Sequence, residues 1–177
     1  MSQKTKWEID PTHAEIGFKV KHMMFTNVSG KIGKYSAIIE TDEDDFTNAV
    51  IDFTGDTDSV TTGNADRDAH LISPDFFDAA QFPKINFVAT SFLKVDIADF
   101  ELTGDLTLHG VTKPIKLAVE FGGLMKDPWG NIKAAFNIEG KINRKDWGLS
   151  WNAALEAGGV LVGEEVKIIA EIELIKK

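Results

Sequence analysis

Cysteine is absent from this sequence of 177 residues, which removes disulfides, thiolate catalysis and Cys-ligated metal from its chemistry and leaves the redox compartment unmarked. Positive charge is scarce. There are 19 Lys and Arg against 28 Asp and Glu, a formal net charge of −9. Nucleic acid is therefore excluded as a partner, because affinity for phosphate backbones comes from clustered cations. The same balance opposes a strong pull toward anionic membranes. No run approaches the roughly 18 apolar residues of a membrane-spanning helix, so no stable membrane insertion is expected. The opening MSQKTKWEIDPTH lacks the apolar stretch of a signal peptide, and with Met1 as the natural start a cytoplasmic location is expected. Catalytic signatures are missing too. His13, His22, His70 and His109 form no His-x-His or His-Glu-x-x-His pair, and no Gly-x-Ser-x-Gly elbow, phosphate loop or dinucleotide fingerprint occurs. Neither a metal nor a cofactor is implied, and the chain does not read as an enzyme.

What is present is alternation. At 43% hydrophobic and 27% charged residues the composition is that of an ordinary globular protein, and the length suits one domain over residues 1–177. Ile16, Phe18, Val20, His22 and Met24 alternate with Glu15, Lys19 and Lys21, which is the period of a strand with one dry face. The pattern recurs at Ile85–Phe87–Ala89, Phe100–Leu102–Leu106–Leu108, Leu117–Val119–Phe121, Ile132–Ala134–Phe136–Ile138–Ile142 and, opening at Val166, Ile168–Ala170–Ile172–Leu174. Residues 28–40 and 49–60 read as bent or bulged strands around Gly30 and Gly33. Eight or nine strands result, with short polar connections that favour antiparallel neighbours. Long one-sided strands in a short chain point to an all-β barrel, with a β-sandwich as the alternative.

Two segments depart from alternation. Within 62–80, Thr62 or Asn64 is placed to cap a helix running to Leu71, and Ser73-Pro74-Asp75 has the order of a second helix start. Residues 143–163, rich in Gly, Asn and Trp, form a long loop able to cover a barrel mouth.

Polar candidates cluster near these segments. Parity turns His22 inward beside Phe18 and Val20, either as a core histidine or as a contact for a ligand head group. Asp66 and His70 share a helix face, with Asp68 nearby, as a polar closure onto the barrel or, less in keeping with the pattern, as a metal site or general base. Arg67, between two carboxylates, is structural or a phosphate grip. In Ile142–Leu149, an Arg144–Asp146 tie with Trp147 as a packed plug competes with direct ligand contact. Rings also gather at Phe25, Phe76, Phe77, Phe82, Phe92 and Trp151.

Several blocks resemble one family. Trp7-Glu8-Ile9-Asp10-Pro11-Thr12-His13, Arg67-Asp68-Ala69-His70-Leu71, Asp75-Phe76-Phe77-Asp78, Phe82-Pro83-Lys84-Ile85, Gly104 to Pro114 and Ile142-Asn143-Arg144-Lys145-Asp146-Trp147-Gly148-Leu149 resemble, in order and over roughly residues 6–175, the YceI-like lipocalin-like proteins. That resemblance implies an extended eight-stranded antiparallel barrel holding a polyisoprenoid or related long-chain lipid, without established catalysis. Many members carry a secretory signal, which this sequence does not show. The lining would come from Phe18, Val20, Phe87, Leu106, Val119, Phe136 and Ile168, with His22, Arg67, Arg144 and Trp147 toward the mouth. Fatty acids or fatty amides are competing ligands. A head-group enzyme using His22, His70 or Asp68, and a stress-response domain with a filled interior, are the rivals from other classes. A homodimer is as compatible with the sequence as a monomer.

Overall fold

A computed structural model describes residues 3–177. Its strands run β1 (Lys4–His22), β2 (Thr26–Ile32), β3 (Tyr35–Asp42), β4 (Asp45–Asp56), β5 (Val60–Thr61), β6 (Lys84–Lys94), β7 (Asp99–Leu108), β8 (Val111–Lys126), β9 (Ile132–Asn143) and β10 (Val162–Lys176), with one α-helix, α1 (Ala65–Ile72). Eight of them, in the order β10-β9-β8-β7-β6-β4-β3-β1, close on themselves through an antiparallel β1–β10 seam. This is the barrel and not the sandwich.

The two short strands prolong the wall. The first residues of β1 pair with β3 (Trp7 opposite Ile39), and its last residues pair with β2 (Phe18 opposite Gly30). Together β2 and β3 thus act as one long strand broken at Gly33, and β4 continues into β5 through a single 3-10 turn, Thr57–Ser59. The bends read from the sequence in 28–40 and 49–60 are these two breaks.

Irregularities of pairing shift the faces, one of them between Glu40 and Asp42, which moves inward parity along β4 from Phe46 to Ile51 and Phe53. Between Ile9 and Ala14 the β1–β10 register slips, so Trp7 and Ile9 point inward on odd numbers while Ile16, Phe18 and Val20 do so on even ones. A bulge between Ala89 and Ser91 turns inward parity from Phe87 to Phe92, and another lies between Phe121 and Gly123. A bulge inserts an unpaired residue, so every side chain beyond it changes sides.

The helical segment contains α1 alone. Asn64 caps it by accepting from the Arg67 amide at 3.0 Å. Ser73, expected to open a second helix, closes the first: its amide and hydroxyl both reach back to the His70 carbonyl, and turns follow. The last strand also starts earlier than alternation indicates, at Val162 and not Val166, because Glu164 and Glu165 interrupt the pattern where β10 meets the end of β1.

Core density is uneven along the barrel. At one end Trp7, Phe46, Phe100, Phe121 and Phe136 form a chain of ring contacts, with centroids 4.9 Å apart for Trp7–Phe46 and 5.0 Å for both Phe46–Phe136 and Phe121–Phe136. The Trp7 indole N–H donates to Thr41 Oγ1 at 2.8 Å, which lets the largest ring sit 2% exposed without an unmet donor. Toward the other end, where β1 ends and β10 begins, inward residues are only partly buried. That difference marks where the interior opens.

Candidate functional site

The opening is a cavity of about 590 Å³ inside the barrel, within the range of roughly 300–1,000 Å³ typical of small-ligand sites. Phe18 and Val20 of β1, Phe87 of β6, Leu106 of β7, Val119 of β8, Phe136 of β9 and Ile168 of β10 all line it. Strands that read poorly in the sequence add Val28, Ile32, Ala37, Ile51 and Phe53.

Emptiness in a barrel this rich in phenylalanine needs a cause. Phe18 lies across Gly30, where a β-carbon would meet its ring at 2.4 Å, and Phe87 lies across Gly104 at the same distance. With only hydrogen on those α-carbons the rings lie flat on the wall instead of projecting into the lumen. Gly30→Val is expected to drive the Phe18 ring inward and to cost about 1–3 kcal/mol of stability. A thermal melt would show the loss, and adding Phe18→Leu should return most of it.

Among the described residues six lining side chains ionise, namely Lys21, His22, Asp66, Arg67, His70 and Arg144. All belong to the end of β1, to α1 or to the turn after β9, so they gather at one end of an otherwise apolar space. His22 points into the cavity, and no protein hydrogen bond reaches its ring among the described residues. Arg67 is exposed and is held by the Thr62 hydroxyl (2.7 Å) and carbonyl (3.0 Å), not by its neighbouring carboxylates. Asp68 instead accepts the Thr62 hydroxyl and amide and the Thr61 hydroxyl; these bonds, the Thr62 hydroxyl foremost, hold its pKa below the ordinary 3.8. His70 pairs with Asp75 at 2.9 Å and not with Asp66, and its ring stacks edge-on against Phe76 and Trp151. That ring cluster docks the helical segment on the loop after β9.

Arg144 is 3% exposed at the start of a 3-10 turn, Arg144–Trp147. The expected tie to Asp146 is replaced by three backbone carbonyls: Nε donates to Gly163, and the two terminal nitrogens donate to Leu149 and Val162. Its guanidinium carbon also stands 5.9 Å from the centre of the Phe76 ring. Burial lowers its pKa, though not enough for an arginine to lose its charge. Thus Arg144 stitches residues 148–163 to the barrel rim while one side of it faces the cavity. Trp147 is 3% exposed, donates to the Leu106 carbonyl at 3.0 Å and packs in the core cluster with Leu106, Leu108 and Leu149, without lining the cavity.

A second polar group lies outside the barrel, on the bulge of β1, and alternation gave no sign of it. Asp10, His13 and Glu173 bring ligand atoms within 4.8 Å of one another. The Lys133 ammonium already sits among them, 2.8 Å from Asp10 and 3.3 Å from Glu173. It supplies the positive charge that a metal would bring. Lys133, then His13 and Thr12, hold the Asp10 pKa far below the usual carboxylate range.

A closed eight-stranded barrel with a one-ended apolar cavity defines a lipocalin-like class of protein. The chain belongs to the YceI-like family, whose domain matches residues 7–174. It is 36% identical over 170 residues to a UPF0312 protein of Staphylococcus aureus, covering 96% of each chain. The YCEI protein of Campylobacter jejuni has the same fold, with a TM-score of 0.76, 33% identity, and coverage of 89% of this chain and 90% of that one. A domain from Saccharophagus degradans described as polyisoprenoid-binding superposes with a TM-score of 0.69 over 97% of this chain and 98% of its own, at 15% identity. Among the described residues, no helix is long and apolar enough to cross a membrane.

Proposed function

We propose that this protein is a binding protein for a long apolar lipid, of the polyisoprenoid class, whose tail occupies the barrel cavity and whose head group stays at the end marked by His22, Arg67 and Arg144. The observation that carries this reading is the segregation of the cavity lining, carbon along its length and ionisable groups at one end. A tail entering such a space gains about 0.8 kcal/mol per buried methylene-like carbon, so each five-carbon unit contributes up to about 4 kcal/mol before ordering costs. Shape and tail length then decide selectivity, with the polar end setting orientation. The description of the Saccharophagus degradans domain supports the isoprenoid class over a general lipid.

Organic extraction of freshly purified protein and mass spectrometry should reveal a co-purified long-chain lipid. Titration with polyprenyl and fatty-acyl probes then separates the isoprenoid from the fatty-acid or fatty-amide reading. Val166→Asp places a carboxylate on the cavity wall and should weaken tail binding about a hundredfold, since an unpaired charge resists burial. Failure of both probe classes to bind, with no lipid in the extract, would remove the proposal.

A further inference from the structure

The β1–β2 hairpin ends at the same rim as the polar end of the cavity. Its tip is Met23, Met24 and Phe25, which are 55%, 63% and 84% exposed. Met23 and Met24 hold positive φ values of 50° and 63°, a left-handed backbone that non-glycine residues rarely adopt. The tip therefore presents three adjoining large apolar side chains to the surroundings at some conformational cost. The Lys21 ammonium folds back to the Phe25 carbonyl at 3.4 Å, so a cation flanks them.

Charge along this hairpin is opposite to that of the molecule; the exposed carboxylates beside it are Glu156 in the adjoining loop and Glu164 and Glu165 at the start of β10, Glu164 being paired with Lys145. From Ile16 to Ile39 there are four lysines, Lys19, Lys21, Lys31 and Lys34, and no carboxylate, within a chain of net charge −9. Strand pairing then extends the basic region across the outer wall. Lys19 lies opposite Lys167, and Lys167 opposite Lys141. Directly opposed residues share a face, and like charges placed so destabilise a sheet. Among the described residues none of these three lysines has an ion pair. Farther from the rim the same wall turns acidic, with Glu15 opposite Glu171 and Glu120 on the neighbouring strands. The row of lysines stands about 13 Å from the tip along β1, with Lys21 between. The other end of the barrel also exposes apolar groups, Val95, Ile97 and Trp129, but Asp96, Asp99 and Asp127 intersperse them.

From this arrangement we infer that the rim docks on an anionic lipid bilayer, Met23–Phe25 dipping into the interface and the Lys19–Lys167–Lys141 row lying against the head groups. Apolar side chains flanked by cations are the pattern of interfacial anchoring. The carboxylates of the distal wall would set the molecule mouth-down, so that a tail passes between bilayer and cavity without crossing water. That purpose rests on the lipid-binding reading; the docking itself needs no ligand.

The test is co-sedimentation of the full chain with phosphatidylcholine vesicles, with and without phosphatidylglycerol. Binding is expected only with phosphatidylglycerol and should fall as salt is raised. Replacing Lys19, Lys141 and Lys167 by Ala should weaken it about fivefold per lysine, and Met24→Ser with Phe25→Ser should abolish it. Phe25→Trp should blue-shift its emission on phosphatidylglycerol vesicles. Lys19, Lys141, Met24 and Phe25 are exposed and Lys167 half-buried, and melting midpoints no lower than wild type would show the fold intact. The inference is overturned if the wild type does not bind these vesicles, or binds as well after either set of substitutions. It is overturned too if the tip instead mediates a lipid-free dimer that Met24→Ser and Phe25→Ser dissolves. Uptake of a polyprenyl probe from solution, measured on the same variants, should be unchanged; its absence in every protein would remove the lipid-binding reading and leave the docking result standing.

Discussion

Replacing Arg144 by Met is expected to lower stability by about 3–5 kcal/mol, the largest loss from any single substitution considered. Removing the guanidinium takes a donor from the carbonyls of Leu149, Val162 and Gly163 at once, and of these Val162 keeps its bond from the Asn152 side-chain amide at 2.7 Å. Buried acceptors left without partners each cost about 1–3 kcal/mol, moderated where water can reach them. At roughly 2–4 °C per kcal/mol for a chain of this size, the melting midpoint should fall by about 10 °C. Calorimetry or circular dichroism measures it directly. Lys at the same position keeps the charge but lacks the planar fork, so Arg144→Lys should recover only a minor part. A second readout is local: amide hydrogen exchange should accelerate across 148–161 before it does in β7 or β8, because this side chain is one of the few ties of that segment to the barrel, beside Asn152 and the Trp151 ring cluster. A midpoint within 2 °C of wild type would show that the carbonyls find other donors.

Asp10→Ala is expected to cost about 2–3 kcal/mol at neutral pH, since it leaves the Lys133 ammonium, whose side chain is 14% exposed, with Glu173 as its one ion-pair partner among the described residues. The pH dependence follows from the direction of the shift. Asp10 has a folded-state pKa far below its ordinary 3.8, so its stabilisation is fully present above about pH 5. It is lost as the pH falls below that ordinary value toward the folded one. Asp68 contributes in the same sense. Wild-type protein should therefore lose melting temperature steeply on acidification below about pH 4, while Asp10→Ala should start lower and fall less. Parallel curves for the two proteins would show that Asp10 and Lys133 are not coupled as their geometry indicates.

The strands of this barrel could be read because each keeps one dry face for six residues or more, as in Phe100 to Leu108 and Ile132 to Ile142. Inward placement of Phe18, Phe87, Leu106, Val119, Phe136 and Ile168 followed from parity within single strands. Parity does not carry across a bulge. The slip at residues 10–13 hid the fact that Trp7 shares the interior with Phe18, and the one at Thr90 separated Phe87 from Phe92. The ties of Arg144 were illegible for another reason: its acceptors are main-chain carbonyls, which have no residue type to recognise. Asp10 and Lys133 are 123 residues apart in sequence and meet only through strand register. Whether dry faces meet one another or enclose space depends on Gly30 and Gly104 lying under rings, a property of pairing that composition does not record.

The β1–β10 seam has a consequence for how the molecule is made. Trp7 is paired with Lys176, so the pairing that completes the barrel joins its first strand to its last. Loop-closure entropy is greatest for such a contact, and proteins dominated by distant pairings fold slowly. During synthesis β1 waits, its apolar side uncovered and its backbone groups unpaired along one edge, until β10 leaves the ribosome. The vulnerable moment for aggregation is thus set by the sequence distance between β1 and β10, and a protein without β10 would keep two open edges for as long as it exists.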